Sequence, residues 1–143
     1  MINTGLFSSD SDKWATPQEL YDNLNAYYGP FNLDPCASPD NAKCSQFFTE
    51  SDNGLSQPWS GRVFMNPPYG REIGKWVKKA WESAHAGAIV CCLLPARTDT
   101  AWWHDYCAKG HVTFLRGRVK FGDGKGSAPF PSVVVVFRPE DTR

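Results

Sequence analysis

Nowhere in these 143 residues does an apolar run approach the length of a membrane span, and residues 1–13 are polar with no apolar signal region. A membrane anchor is therefore not expected. The chain reads as a cytoplasmic protein whose first 13 residues are disordered. Cysteine pairs are missing too. Cys36, Cys44, Cys91, Cys92 and Cys107 form an odd set without a CxxC spacing, and no histidine stands at metal-ligand distance from them, so no metal site is expected. Cys91 and Cys92 fall inside an apolar run, where they behave as small buried hydrophobes suited to a reducing compartment. Net charge is absent as well, with 15 acids balancing 15 bases.

What is present is a core and an uneven distribution of charge. At 41% hydrophobic and 14% aromatic residues, the chain can bury the interior of one domain, expected to span residues 14–143. Residues 1–60 carry 8 acids against 2 bases, and residues 61–143 carry 7 acids against 13 bases, so the two halves are electrically opposite.

The most informative stretch is Arg62-Val63-Phe64-Met65-Asn66-Pro67-Pro68-Tyr69-Gly70. A short apolar run feeds into a polar corner and then a segment of helical periodicity, the pattern of a buried strand delivering a rigid corner to a sheet edge. Pro67 and Pro68 fix their own φ angles and hold Asn66 and Pro67 near extended geometry. Neither proline has an N–H, so the Asn66 amide and the Pro67 carbonyl offer acceptors with no local donor to quench them, and Tyr69 adds a planar face. A planar amino group stacked on that ring could give one proton to each acceptor. Such an arrangement favours the pyramidal nitrogen that attacks an electrophile and stabilises the positive charge that develops on it. The bland account of Asn-Pro-Pro-Tyr is a turn after a strand, with the tyrosine packing.

Asn66-Pro67-Pro68-Tyr69 resembles the catalytic motif of amino-methyltransferases that use S-adenosylmethionine. Further blocks are similar to the phage-type DNA N6-adenine methyltransferase (Dam) family: Trp14-Ala15-Thr16-Pro17-Gln18-Glu19-Leu20, Leu33-Asp34-Pro35-Cys36-Ala37, Asp52-Asn53-Gly54-Leu55, Leu94-Pro95-Ala96-Arg97 and Gly117-Arg118-Val119-Lys120-Phe121. Together they span most of the chain. The resemblance implies a compact, shortened Rossmann-like α/β fold with a mostly parallel central sheet, S-adenosylmethionine as cofactor and DNA adenine as substrate. It assigns Asn66, Pro67, Pro68 and Tyr69 to catalysis, Thr16, Asp34 and Pro35 to the methionine end of the cofactor, and Asp52 or its rival Glu50 to the adenosine end. A cationic cofactor beside the acidic half and a polyanion beside the basic half would fit the charge split, although solvated faces produce such splits too. Many related enzymes follow the first strand with a glycine-rich turn. Here Cys36-Ala37-Ser38-Pro39-Asp40 follows instead. An adenine in RNA or a glutamine side chain also presents an amino group, and a non-catalytic cofactor-binding remnant is a third reading.

In chain order, Thr16-Pro17-Gln18-Glu19 predicts a helix start, with Thr16 as N-cap, Pro17 at the first helical position and Glu19 closing a capping box; Gly29-Pro30 ends that helix. Residues 31–35 predict a strand that ends in Asp34, at the carboxyl edge where open α/β sheets bind cofactors. Only 31 residues separate Asp34 from Asn66, too few for two strand-helix units, so one short strand over residues 46–49 is expected, with a helix reduced to loop. Ile73, Trp76, Val77, Ala80, Trp81 and Ala84 follow helical spacing up to Gly87, and residues 88–94 predict a central parallel strand. The loop after it carries Arg97, which could meet phosphate or pair with Asp99. A short helix over residues 101–107 and two final strands over residues 111–115 and 132–137, antiparallel neighbours, complete the reading. The final strands bracket a glycine-rich loop with Arg116, Arg118, Lys120 and Lys125 among Phe121 and Phe130, a composition suited to gripping a nucleic-acid strand. Phe121 either supplies a second face for an extruded base or anchors the loop to the core. A separate target-recognition domain is not expected within residues 14–143.

Overall fold

Val63, Phe64 and Met65 are 0–1% exposed, and the sheet is built outward from the short strand that holds them. The computed structural model describes residues 14–122 and 126–143; the disorder expected of residues 1–13, and Lys125, fall outside the described residues. Six strands, β1 (Leu33–Asp34), β2 (Gln46–Phe47), β3 (Arg62–Met65), β4 (Ile89–Pro95), β5 (His111–Phe114) and β6 (Ser132–Phe137), form one sheet in the order β2-β1-β3-β4-β6-β5. The pairs β2/β1, β1/β3 and β3/β4 are parallel, whereas β4/β6 and β6/β5 are antiparallel. The sheet is thus mixed α/β and mostly parallel. One expectation needs correction: β4 is parallel to β3 only, and its other neighbour runs the opposite way. Its residues Val90–Leu94 are wholly buried because the strand is covered on both faces, a requirement that holds for either pairing direction.

Register fixes the layers. Val63, Val90 and Phe137 lie side by side across three strands, as do Phe64, Cys91 and Val136 one position on, so the two sets point to opposite faces. Helix α1 (Gln18–Tyr28) lies on the Phe64 face, where the Tyr21 ring meets Phe64 edge-on at 5.1 Å. Helix α2 (Ile73–His85) lies on the Phe137 face, where Trp81 meets Phe137 at 5.8 Å. The buried residues Ile73, Val77, Ala80 and Ala84 recur every three or four positions, which turns one stripe of α2 to the sheet. Gly87, at φ +120°, carries the chain out of α2 through a conformation that other residues resist. A short helix α3 (Ala101–Asp105) is capped by the Thr100 side chain, which accepts from Trp103 N; the last turn expected of it is a separate 3-10 turn, Cys107–Lys109.

The span between Asp34 and Asn66 is trimmed as its length demands. No α-helix lies there; two 3-10 turns, Glu50–Asp52 and Gly54–Ser56, replace it, and β2 covers two residues of the four expected. The start of α1 differs more. Pro17 is the N-cap, no side chain caps the helix, and neither Thr16 nor Glu19 forms the predicted box. The Thr16 hydroxyl is used elsewhere, as described below.

Phe137 is fully buried and packs on Trp81 and against the backbone of Gly110, where an added Cβ would lie 2.8 Å from its ring. Phe137→Ala should lower the free energy of unfolding by about 3–5 kcal/mol, read from urea denaturation. A loss below about 1 kcal/mol would mean that the α2 face of the sheet is not packed as described.

Candidate active site

Because β1 and β3 run parallel, their carboxyl ends share one edge, and each ends in a polar residue: Asp34 on β1 and Asn66 just beyond β3. The segment leading into α1 crosses the same edge. Between them opens a cleft of about 800 Å³, lined by Trp14, Ala15 and Thr16, by Asp34 to Pro39, by Thr49, Glu50 and Ser51, by Asn53 and Gly54, and by Asn66, Pro67, Pro68 and Trp76. That volume suits a small organic ligand.

Asn66 is held by its amide nitrogen. Nδ2 donates to the Trp14 carbonyl and, at 2.9 Å, to Thr16 Oγ1. Both N–H groups are thereby consumed, and Oδ1 is buried with no hydrogen-bond partner. A buried acceptor left bare costs about 1–3 kcal/mol, so its persistence points to a donor supplied from outside the chain. No hydrogen bond to the Pro67 carbonyl is found among the described residues either.

Asp34 is 5% exposed. Its Oδ1 accepts from Cys36 N at 3.3 Å and its Oδ2 from Lys43 N at 3.1 Å, so the loop after β1 wraps the carboxylate with backbone donors. Burial pushes the Asp34 carboxyl above the ordinary value, against those two N–H groups and the Lys43 charge, which pull it down. The far wall comes from the trimmed span. Gly54 lies so close to Pro35 that an added Cβ would sit 2.3 Å from the Pro35 carbonyl and 3.1 Å from the Trp76 ring. Trp59 donates to the Gly54 carbonyl at 2.8 Å and stacks on Trp76. Trp76, expected only as a core position of α2, thus forms part of the cleft. A ring at this position was invisible in the helical pattern because the wall it meets is 22 residues earlier.

The two candidate acids separate. Glu50 lines the cleft; Asp52 does not. The Asp52 carboxylate instead accepts from Thr49 N and Thr49 Oγ1, which hold it below the usual carboxylate range. Asp52 closes a 3-10 turn, a local role that its position before Gly54 conceals.

Tyr69 departs from expectation. Its ring is 4% exposed, its hydroxyl donates to the Leu93 carbonyl at 2.8 Å, and Phe121 and Phe130 meet it at 6.1 and 5.6 Å. The ring belongs to the core and presents no open face to the cleft. Phe121, 8% exposed, anchors its loop: it also packs on Trp14 at 5.6 Å, and Gly122 N donates to the Ala15 carbonyl. Arg97 neither pairs with Asp99 nor lines the cleft; its guanidinium donates to the Tyr69 carbonyl at 3.2 Å and braces the corner from behind. Arg118 and Lys120 are exposed, and Arg118 also donates to the Ala128 carbonyl across its own loop. With Arg116 they border a second groove of about 330 Å³ whose other wall is the first turns of α1.

Residues 3–141 match the family of DNA N-6-adenine-methyltransferases (Dam). The chain belongs to that family. A DNA N-6-adenine-methyltransferase of Haemophilus phage HP1 is 31% identical over 150 residues, covering 98% of this chain and 86% of the relative. One from Escherichia phage T1 is 31% identical over 147 residues, covering 83% of this chain; the match spans 61% of that relative's length. A putative methyltransferase of Escherichia coli K12, YfdM, is 42% identical over 65 residues, 41% of this chain. Membership of the DNA N-6-adenine-methyltransferases implies a DNA substrate and a methyl donor of the S-adenosylmethionine type. The cleft residues are compatible with such a donor: the cleft holds a buried carboxylate, Asp34, and a buried acceptor without a partner, Asn66 Oδ1. Among the described residues no helix is long and apolar enough to cross a membrane.

The opposite displacements of Asp34 and Asp52 can be measured together. In a carboxyl carbon NMR titration Asp34 should titrate at a higher pH than Asp52. Because the folded chain holds the Asp34 proton more tightly than the unfolded one, this group favours folding at acid pH and that contribution is lost as pH rises through its folded pKa. Titration of Asp34 at or below Asp52 would show that the cleft floor is wetter than its burial implies.

Proposed function

We propose that this domain transfers a methyl group from S-adenosylmethionine to N6 of adenine in DNA, in a shortened Rossmann-like methyltransferase fold. The observation that carries the proposal is the Asn66 amide: both N–H groups are spent inside the chain, and the one remaining acceptor is buried and bare beside the cleft. When bound, S-adenosylmethionine supplies a methyl group on a cationic sulfur. Asp34 and Pro35 flank its methionine end, and the Asp34 charge favours the sulfonium over a neutral ligand. Glu50 takes the ribose hydroxyls, with Trp76 as an apolar face on the same wall.

Asn66 Oδ1 accepts one proton of the adenine amine and the Pro67 carbonyl accepts the other. Two acceptors draw the nitrogen lone pair out of the ring plane and stabilise the positive charge that grows as the nitrogen attacks the methyl carbon. The donor would supply the methyl carbon to that nitrogen and depart as the neutral thioether, and the surplus proton of the resulting aminium would pass to water. Adenine has to leave the duplex stack to reach this corner. For Tyr69 to stack on it, Phe121 and Phe130 have to give way, which makes the loop carrying them the element that responds to DNA. Arg118 and Lys120 on that loop, and Lys125, meet phosphates; Arg97 acts through the corner instead of on DNA.

Nucleoside mass spectrometry after incubation with S-adenosylmethionine and unmethylated DNA, RNA or protein tests the proposal. Methyl on DNA adenine is expected; methyl confined to RNA or to glutamine would reject it. Asn66→Ala should lower kcat by about 10²–10³ with cofactor affinity kept within a few-fold, since the lost acceptor acts on the amine. Calorimetric titration of the cofactor separates the two acids: Glu50→Gln should weaken binding roughly tenfold, as expected for loss of a charged hydrogen-bond acceptor, and Asp52→Asn should change it little. The reverse order would hand the ribose to Asp52.

A further inference from the structure

We infer that Thr16 is a positioning residue for Asn66, setting which end of its amide faces the substrate, and is not a ligand of the cofactor. The inference rests on the methyl-transfer reading of the same corner and assigns a task within it. An asparagine amide has two ends of nearly equal shape and opposite hydrogen-bonding character. Presented oxygen-first, it accepts a proton from an amine; presented nitrogen-first, it sets donor against donor and blocks the reaction. Nothing in Asn-Pro-Pro-Tyr itself decides between them, because the prolines fix backbone angles and leave the last side-chain torsion of Asn66 free.

Two groups from the segment before α1 decide it. The Trp14 carbonyl takes one N–H of Asn66, and a carbonyl can only accept, so the flipped amide would face it oxygen to oxygen. Thr16 Oγ1, 2.9 Å away, takes the other N–H and closes the lock. Thr16 is 7% exposed, so water cannot readily replace it. A second observation sets the hydroxyl apart from an ordinary packing contact. Thr16 precedes Pro17 in a sequence suited to cap α1, yet no side chain caps that helix. The fold forgoes a stabilising cap and spends the hydroxyl on Asn66, the kind of local departure that marks a functional position.

The test uses the full chain with Thr16→Val, which keeps the branched shape and removes the hydroxyl, Thr16→Ser, which restores it, and Thr16→Ala should valine fail to fold. Exchange of the Asn66 side-chain amide protons, followed by ¹⁵N NMR and assigned by their loss in Asn66→Ala, reads the lock directly. Exchange should accelerate at least tenfold in Thr16→Val or Thr16→Ala and return towards wild type in Thr16→Ser. In turnover, valine should lower kcat about tenfold, serine should restore it to within about threefold, and the cofactor Kd from calorimetry should stay within about threefold throughout. Cofactor affinity falling tenfold or more in Thr16→Val with kcat preserved at saturation would overturn the inference and make Thr16 a cofactor ligand. Unchanged amide exchange would overturn it as well. Amide exchange that responds as expected in a wild-type chain that methylates no DNA would uphold the lock and reject the methyl-transfer reading instead.

Discussion

An asparagine whose two amide protons are both taken, and whose oxygen is buried without a partner, is a costly thing to keep inside a domain. The cost of the bare acceptor is about 1–3 kcal/mol, a sizeable part of the stability a single domain can have. The rest of the structure makes that cost sustainable. Strand β3 is too apolar to leave the core, so its end cannot drift; Pro67 and Pro68 remove the backbone freedom that would let the corner relax; and the segment 14–16, tied to Asn66 across 50 residues of sequence, shields the amide nitrogen from water. Without that tie the amide could rotate and find a donor, and the corner would lose its character.

The same edge explains the electrostatics. Parallel strands gather their carboxyl ends, so Asp34 and Asn66 stand in one cleft although 31 residues separate them in sequence. Each is arranged to prefer a different guest. Burial disfavours the charge on Asp34 more than its two backbone N–H donors favour it, and a carboxylate placed in this way gains most from a cation beside it. Asn66 gains most from a donor. The shortened span between them has given up a helix, and the turns that remain bring Gly54 against Pro35 so closely that no side chain fits between them, with Glu50 and Trp76 completing the wall.

How much of this was legible in the sequence depends on whether the deciding contact was local. The strand before Asn66, the carboxylate at the end of β1 and the replacement of a helix by turns all follow from short-range pattern or from counting residues, and all three are seen. Thr16 was misread as a cap because capping is the local use of a threonine before Pro17, and only tertiary structure brings Asn66 to compete for the hydroxyl. Tyr69 was misread as an open stacking face because the motif says nothing of Phe121 and Phe130, which arrive from a loop more than 50 residues on. Asp52 and Glu50 differ by two positions on a 3-10 turn, and that turn, unpredicted, is what sends one to the cleft and the other to Thr49. The direction of β6 beside β4 was equally out of reach, since a wholly apolar strand carries no mark of its neighbours' polarity.

Trp14 joins the two halves of the site in one residue. Its carbonyl holds the Asn66 amide, and its ring packs edge-on against Phe121 and Phe130, the two side chains that cover Tyr69. In the proposed reaction a base entering the corner displaces the edge contacts that Tyr69 makes with those two rings, worth about 0.5–1.5 kcal/mol each beyond their area. Stacking of the base returns about 1–3 kcal/mol, and a proton donated to the bare Asn66 oxygen removes a penalty of similar size. Within the corner the exchange is therefore close to balanced before the amine is engaged, and the gain on engaging it offsets part of the few kcal/mol that unstacking the base costs. A base without an amino group at the corner would obtain the stacking and not the second gain, so the closed aromatic cover and the unpaired acceptor together discriminate for the group that the chemistry needs.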